Sequence, residues 1–197
     1  MVSGPGSAGR DDEVIVDPGA ARAALDWPTV DETSSGLVVP VPEGWEPSVD
    51  PAEAAIICLR PASCPATGPG SNDNDFRPNV TITVERPPPG PDQQIVDLDG
   101  YSRQLIAGLF RYLTDAHVVS DDPELFGGND GRRVISGHRQ GPFTLVTEQY
   151  WSIAPTGVAT VLTGTCTLEQ YRWASNVFEQ VALGTTTATS IPEGEST

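Results

Sequence analysis

Apolar and polar residues recur along the chain in two periods, and the periods divide it into strands and helices. Asn79 to Glu85 alternates cleanly: Val80, Ile82 and Val84 fall on one side, and Thr81, Thr83 and Glu85 on the other. That is the pattern of a half-buried strand. Phe143 to Ile153 has the same period, with Phe143, Leu145, Trp151 and Ile153 on one face and Thr147 and Gln149 between them. Arg132 to Arg139 precedes it and Val158 to Cys166 follows. The joining sequences, Gly141-Pro142 and Ala154-Pro155-Thr156-Gly157, are short turns, so these three strands predict an antiparallel meander. Upstream, Leu37 to Pro42 is a β-rich run whose prolines mark an edge strand or a strand end. Pro42-Glu43-Gly44 reads as a turn before Trp45, and Ala54 to Leu59 is short enough for a buried strand.

Two segments carry the helical period instead. Leu98, Tyr101, Leu105, Leu109 and Tyr112 recur at spacings of three and four and predict a helix over Asp97 to Leu113, with Asp97 as its N-cap. Thr167-Leu168-Glu169-Gln170 has the form of a capping box. It opens a second helix with an apolar stripe of Tyr171, Ala174, Phe178 and Val181 and with Gly184 at the C′ position. Pro61 to Pro78 is a long loop, and Arg86 to Pro91 is a rigid, proline-rich break.

The sum is an α+β fold: a single antiparallel β-sheet with two main helices packed on it. The expected organisation is a flexible N-terminal tail over 1–35, one domain over 36–184, and a disordered C-terminal tail over 185–197. A chain of 197 residues can build such a core without disulfides or metals.

Charge narrows the function. There are 27 acidic residues against 11 basic ones, for a net charge of -16. Every base is arginine, which fits high-GC coding as in actinobacteria and excludes any Schiff-base or P-loop lysine. A surface so acidic repels phosphate backbones and anionic membranes, so nucleic acid is not the expected partner. Basic proteins or cations are compatible with it. The three cysteines, Cys58, Cys64 and Cys166, are no disulfide framework, although Cys58 and Cys64 could pair across a short loop. No stretch reaches the length of a membrane span, and no secretory signal is legible at the N-terminus. A type VII secretion tail is also missing: Tyr112 is followed four residues later by Ala116, and Tyr171 by Ser175. The expected location is the cytoplasm, or the cell envelope or medium if a signal segment has been removed.

Several pieces resemble, in order and spacing, the LpqN and LpqT lipoproteins of mycobacteria, which share the PsbP-like fold. They are Val39-Pro40-Val41-Pro42-Glu43-Gly44-Trp45, Pro78 to Val84, the helix around Tyr101 to Leu113, Gly131-Arg132-Arg133-Val134, and Glu148-Gln149-Tyr150-Trp151 through Thr163 to the Phe178 helix. The sequence departs from that family in having no lipobox cysteine. The resemblance implies no catalytic residues and no cofactor. It implies a soluble adaptor, in keeping with PsbP-like proteins that serve as extrinsic photosystem subunits, a Ran-binding factor or secretion-effector chaperones.

No metal site is expected. His117 and His138 lack ligand-spaced partners, and the loop from Asp73 has Pro78 and Val84 where a calcium loop needs Gly and Glu. Ser120-Asp121-Asp122-Pro123-Glu124 reads as an acidic turn. The expected function is a non-catalytic protein-binding, adaptor or chaperone-like module with a link to secretion or the envelope, acting as a monomer or homodimer. The first alternative is a small-molecule or lipid-binding envelope protein; the second is an enzyme using His138 or Asp121 and Asp122. The candidate docking residues are Gln149 and Trp151 on the central strand, Trp173 on the last helix, and Asp73 and Asp75 on the long loop. For Trp151, burial in the core is the competing reading.

Overall fold

A computed structural model of the protein describes residues 26–32, 35–48, 57–63, 76–87 and 97–187. The strands are β1 (Thr29–Glu32), β2 (Leu37–Pro40), β3 (Trp45–Ser48), β4 (Ile57–Pro61), β5 (Asn79–Glu85), β6 (Thr114–Phe126), β7 (Asn129–Gln140), β8 (Phe143–Ile153), β9 (Ala159–Thr167) and β10 (Thr186–Thr187). The helices are α1 (Leu98–Tyr112) and α2 (Tyr171–Gly184). The fold is α+β, and it contains two antiparallel sheets rather than the single one expected. Seven strands run in the order β3-β4-β5-β9-β8-β7-β6, and a small sheet has the order β1-β2-β10.

The division follows from the prolines. Pro40 ends β2, and Pro42 accepts a hydrogen bond from the Trp45 amide to close a turn in which Gly44 has φ of 74°. The apolar run therefore serves the small sheet, and the chain reverses before entering the large one at β3. β1 and β10 lie in the segments expected as tails. Val30 packs against the core, and Thr186 and Thr187 stand opposite Val38 and Leu37.

The meander has four strands, not three. β6 covers Thr114–Phe126 and includes the acidic stretch read as a turn. Its polar sequence suits the edge it occupies, where β7 is its sheet neighbour. Two register shifts interrupt β6, near Asp115 and Val119, and Asp115 takes φ of 54°. His117 belongs to this strand, and its ring sits where a side chain on Gly137 would be.

The two faces of the large sheet carry separate clusters. Over one face, α1 brings Leu98, Leu105, Ile106 and Leu109 to buried Tyr101, Val134, Trp151, Ala159 and Val161. Tyr112, expected in this stripe, is 78% exposed at the last residue of α1, while Leu109, one turn earlier, still packs on the cluster. Over the other face, α2 places Ala174, Phe178, Val181 and Ala182 on Val80, Ile82, Val146, Tyr150, Leu162 and Cys166. Gly164 allows that approach: a Cβ there would lie 2.4 Å from the Phe178 ring.

The helix ends follow local chemistry. The Asp97 carboxylate accepts from the Gly100 amide at 2.6 Å, so Asp97→Ala should lower stability by about 1 kcal/mol. Chemical denaturation measures this, and an unchanged midpoint would deny the cap. The capping-box bonds also form: Thr167 N–H donates to Gln170 Oε1 at 3.0 Å, and Gln170 N–H donates to Thr167 Oγ1 at 3.4 Å. The regular helix begins one residue later, at Tyr171. Gly184 is the last helical residue, and Thr185 ends the helix in an extended conformation, so the expected left-handed glycine stop is not used.

Candidate binding surface

Three adjacent strands put a row of uncharged polar side chains on the face that α1 partly covers. Register sets the row: Asn79 stands opposite Thr165, Thr81 opposite Thr163, and Thr163 opposite Gln149. Thr83 continues it on β5, since alternate strand residues share a face. All six side chains are half-buried. α1 covers Trp151, Val161 and Ala159, at the apolar end of this face. The polar end offers hydroxyls and amides and no charge.

Gln149 is the centre of this row. Its Nε2 donates to Thr163 Oγ1 at 3.2 Å, and its Oε1 has no hydrogen-bond partner. Reversing the amide would leave the nitrogen unpaired instead, so one end keeps spare hydrogen-bonding capacity either way. On the neighbouring β7, Ser136 Oγ and His138 Nδ1 are likewise buried and unpaired. They share the face of Gln149, because Val134, Ser136 and His138 stand opposite Gln149, Thr147 and Leu145. Buried polar atoms are ordinarily satisfied by protein groups or ordered water, and these three find no protein partner.

Burial pushes the His138 pKa below the ordinary histidine value. In the unfolded chain the ring titrates near about 6.5. As pH falls through that value, the unfolded chain takes up a proton that the folded protein resists. The stabilising contribution is present above about pH 6.5 and lost beneath it. The urea midpoint should therefore drop on acidification from about pH 7, and His138→Gln should flatten that part of the curve. An unaltered curve in the variant would assign the slope to other groups.

The residues proposed for catalysis are not assembled. His138 Nδ1 has no hydrogen-bond partner. Asp121 and Asp122 project to opposite faces of β6, as successive strand residues do, so they cannot share a proton. Asp121 instead accepts from Arg132 Nε at 2.8 Å. Among the described residues, no three His, Cys, Asp or Glu side chains form a group suited to a metal ion.

Of the expected docking residues, Gln149 and Trp151 share one face of β8, and Trp173 packs on the other side of the sheet. Trp151 is fully buried, and its indole N–H donates to Ser102 Oγ at 2.7 Å, which ties β8 to α1. Trp173 is half-buried against the cluster under α2, on the opposite side from Gln149. Asp73, Asp75 and Cys64 lie outside the described residues. Cys58 and Cys166 are buried free thiols, and burial, then the charge of Glu148, pushes the Cys166 thiol up to about 12.

The polar centre that sequence reasoning passed over is Glu148, which is completely buried between β8 and α2. Its Oε1 accepts from Arg133 Nε at 2.9 Å and Arg133 Nη2 at 2.8 Å, and from the Tyr150 hydroxyl at 2.5 Å. Its Oε2 accepts from the Tyr171 hydroxyl at 3.1 Å. The Arg133 guanidinium also lies over the Tyr150 ring, 5.7 Å from its centre. Burial first, and the Glu148 charge second, raise both phenols, that of Tyr171 to about 12. Both carboxylate oxygens are occupied by donors. The group binds β7, β8 and α2 together. A charged residue at an inward position of a central strand was the available signal.

No family model matches the chain, and no curated protein does. Solved structures share its fold. LpqN of Mycobacterium tuberculosis, described as involved in cell envelope biogenesis, superposes with a TM-score of 0.58 at 15% identity, covering 81% of this chain and 88% of that one. The cyanobacterial PsbP of Synechocystis gives 0.56 at 11% identity, over 81% and 91% of the two chains. The Ran-binding protein Mog1p of Saccharomyces cerevisiae gives 0.56 at 10% identity, over 85% and 98%. At these identities the likeness is one of fold, the PsbP-like fold. Among the described residues, no helix is long and apolar enough to cross a membrane.

Proposed function

We propose that the chain is a non-catalytic binding module whose partner is another protein, and that it acts as an adaptor. The observation that carries this reading is the half-buried row around Gln149: uncharged hydrogen-bonding groups on a rigid sheet, one of them unpaired, with no nucleophile and base brought together. A sheet face of threonines and an amide suits the polar part of a protein interface, where direct hydrogen bonds and bridging waters share the contact. Mog1p, which has the same fold, is Ran-binding, in keeping with a partner-binding use of this scaffold. Asp73 and Asp75, which fall between β4 and β5 in the sequence, are proposed as further contributors to partner contact.

The test is capture of partners by the purified protein, compared with Gln149→Arg and Thr163→Arg. These changes place a bulky charge on the face, and their thermal midpoints should stay close to that of the original protein. The reading expects a partner retained by the original and lost by both variants. Equal retention by all three, or turnover of a substrate that depends on His138, would overturn it. We place the protein in the cytoplasm, and fractionation of cells that make the full-length chain tests this; recovery in the envelope or medium would replace that location.

A further inference from the structure

The two helices hold the sheet unequally. α2, with 14 residues, buries five of them fully: Ala174, Phe178, Val181, Ala182 and Gly184. α1, with 15 residues, buries two, Tyr101 and Ser102. The apolar side chains that α1 lays on its cluster, Leu98, Leu105, Ile106 and Leu109, all keep part of their surface in solvent. A Cβ on Gly108 would meet nothing within 4 Å, so the helix carries an interior glycine, which weakens it, at a point that is not tightly packed.

The attachments also divide along the helix. Its first half carries three polar links to the sheet: Asp99 to Arg132 at 3.5 Å, the Tyr101 hydroxyl to Glu85, and Ser102 Oγ to the Trp151 indole N–H at 2.7 Å. Links of these kinds are individually weak. Beyond Ser102 the helix rests on Leu105, Ile106 and Leu109. At its end a single residue, Leu113, separates α1 from β6. Two residues on, Asp115 takes φ of 54°, the only positive φ of a non-glycine among the described residues. Asp115 and Ala116 fall in the register shift between the pairs Thr114–Arg139 and His117–Gly137, so neither is fixed by a partner in the ladder. Backbone free of the ladder, and already in a sparsely populated conformation, is where a hinge can turn.

We propose that α1 is a hinged lid on the sheet. Asp115 and Ala116 are its hinge, the links from Asp99, Tyr101 and Ser102 are its latch, and the sheet and α2 stay folded when it lifts. Opening uncovers Val134, Trp151 and Val161, which share the sheet face of Gln149 and Thr163. The partner surface then runs from the polar row onto an apolar floor, the make-up of an interface core beside its polar rim. The motion stands on the packing of α1; its purpose rests on the reading of the Gln149 row as a partner surface.

Native-state hydrogen exchange tests the motion without a partner. The Trp151 indole N–H reports the lid, because it is buried and its acceptor belongs to α1. The slowest amides of β8 and β9 report unfolding of the sheet. After correction for intrinsic rates, the indole N–H is expected to exchange at least about tenfold more readily than those amides. Its dependence on urea should be shallower, since a lid exposes less surface than the whole fold. Two variants separate the states. Val181→Ala weakens packing under α2, which stays docked whether the lid is shut or open. It should speed the strand amides at least about tenfold and leave the indole unchanged. Tyr101→Phe cuts one link of the latch and keeps the ring, and should speed the indole about threefold or more. One opening free energy shared by the indole and the strands, an equal gain in both for Val181→Ala, or an indole indifferent to Tyr101→Phe would each overturn the proposal. A partner retained through Gln149 should bind tighter to Tyr101→Phe by the factor that opens the lid, because more of the protein is competent. Absence of that gain would deny the lid its part in binding. Failure to find any partner would remove the adaptor reading, and the exchange rates would still decide whether α1 opens.

Discussion

Replacing Arg133 with alanine is expected to lower the stability of the protein by about 3–5 kcal/mol, a large share of what a domain of this size possesses. The loss arises from what remains. Glu148 is fully buried, and without the guanidinium its charge would depend on two phenols, Tyr150 and Tyr171. A buried carboxylate stripped of its cation keeps most of its desolvation cost and loses its main compensation. Removing both charges is a different experiment. Arg133→Met combined with Glu148→Leu should be less destabilising than Arg133→Ala alone, because no charge is left in the interior. Tyr171→Phe, which deletes one donor, should cost about 1–2 kcal/mol. Urea unfolding of the four proteins settles the ranking. A loss beneath about 1 kcal/mol for Arg133→Ala would show that the pair behaves as a surface salt bridge.

Trp151→Ala should cost a similar amount, about 3–5 kcal/mol, by opening a cavity between β8 and α1. The indole touches no solvent, and its N–H bond to Ser102 is the polar link between that strand and the helix. Trp151→Phe separates the two contributions. It keeps most of the packing and leaves Ser102 Oγ without its donor, so its cost should be markedly smaller than that of alanine. If instead Trp151→Ala folds with an unchanged midpoint and fails to retain a partner, the indole belongs to an interface that the fold opens on binding. Calorimetry and partner capture on the same variants distinguish the two outcomes.

Sequence pattern was most informative where one face of a strand or helix is apolar and the other wet. β5 is such a case: Val80 and Ile82 are fully buried while Thr81 and Thr83 are half-exposed. Asp97 and the Thr167–Gln170 box were legible because capping is local chemistry over three residues. Pattern failed where burial is two-sided. β8 is flanked by β7 and β9 and covered on both faces, so alternation there does not distinguish inside from outside. Glu148 was hidden in that ambiguity, and two of its three partners, Arg133 and Tyr171, come from β7 and α2. β6 was obscured for the opposite reason. An edge strand needs few apolar residues, and Asp121, Asp122 and Pro123 carry the composition of a turn. The Gln149 row was half visible: the residue and its strand face could be read, but its register against Thr163 is a tertiary fact.

The small sheet has a consequence for the order in which the molecule is made. β10 closes it by laying Thr186 and Thr187 against Val38 and Leu37, which joins the far ends of the described chain. A ribosome releases β2 long before β10 exists, so β2 must wait with only β1 beside it, although Leu37 and Val39 end fully buried in the finished core. Closing so long a span carries a large loop entropy that local contacts cannot offset in advance. Folding should therefore finish with a slow docking of the small sheet. Until α2 and β10 have emerged, the nascent chain presents an apolar strand of the kind that chaperones hold.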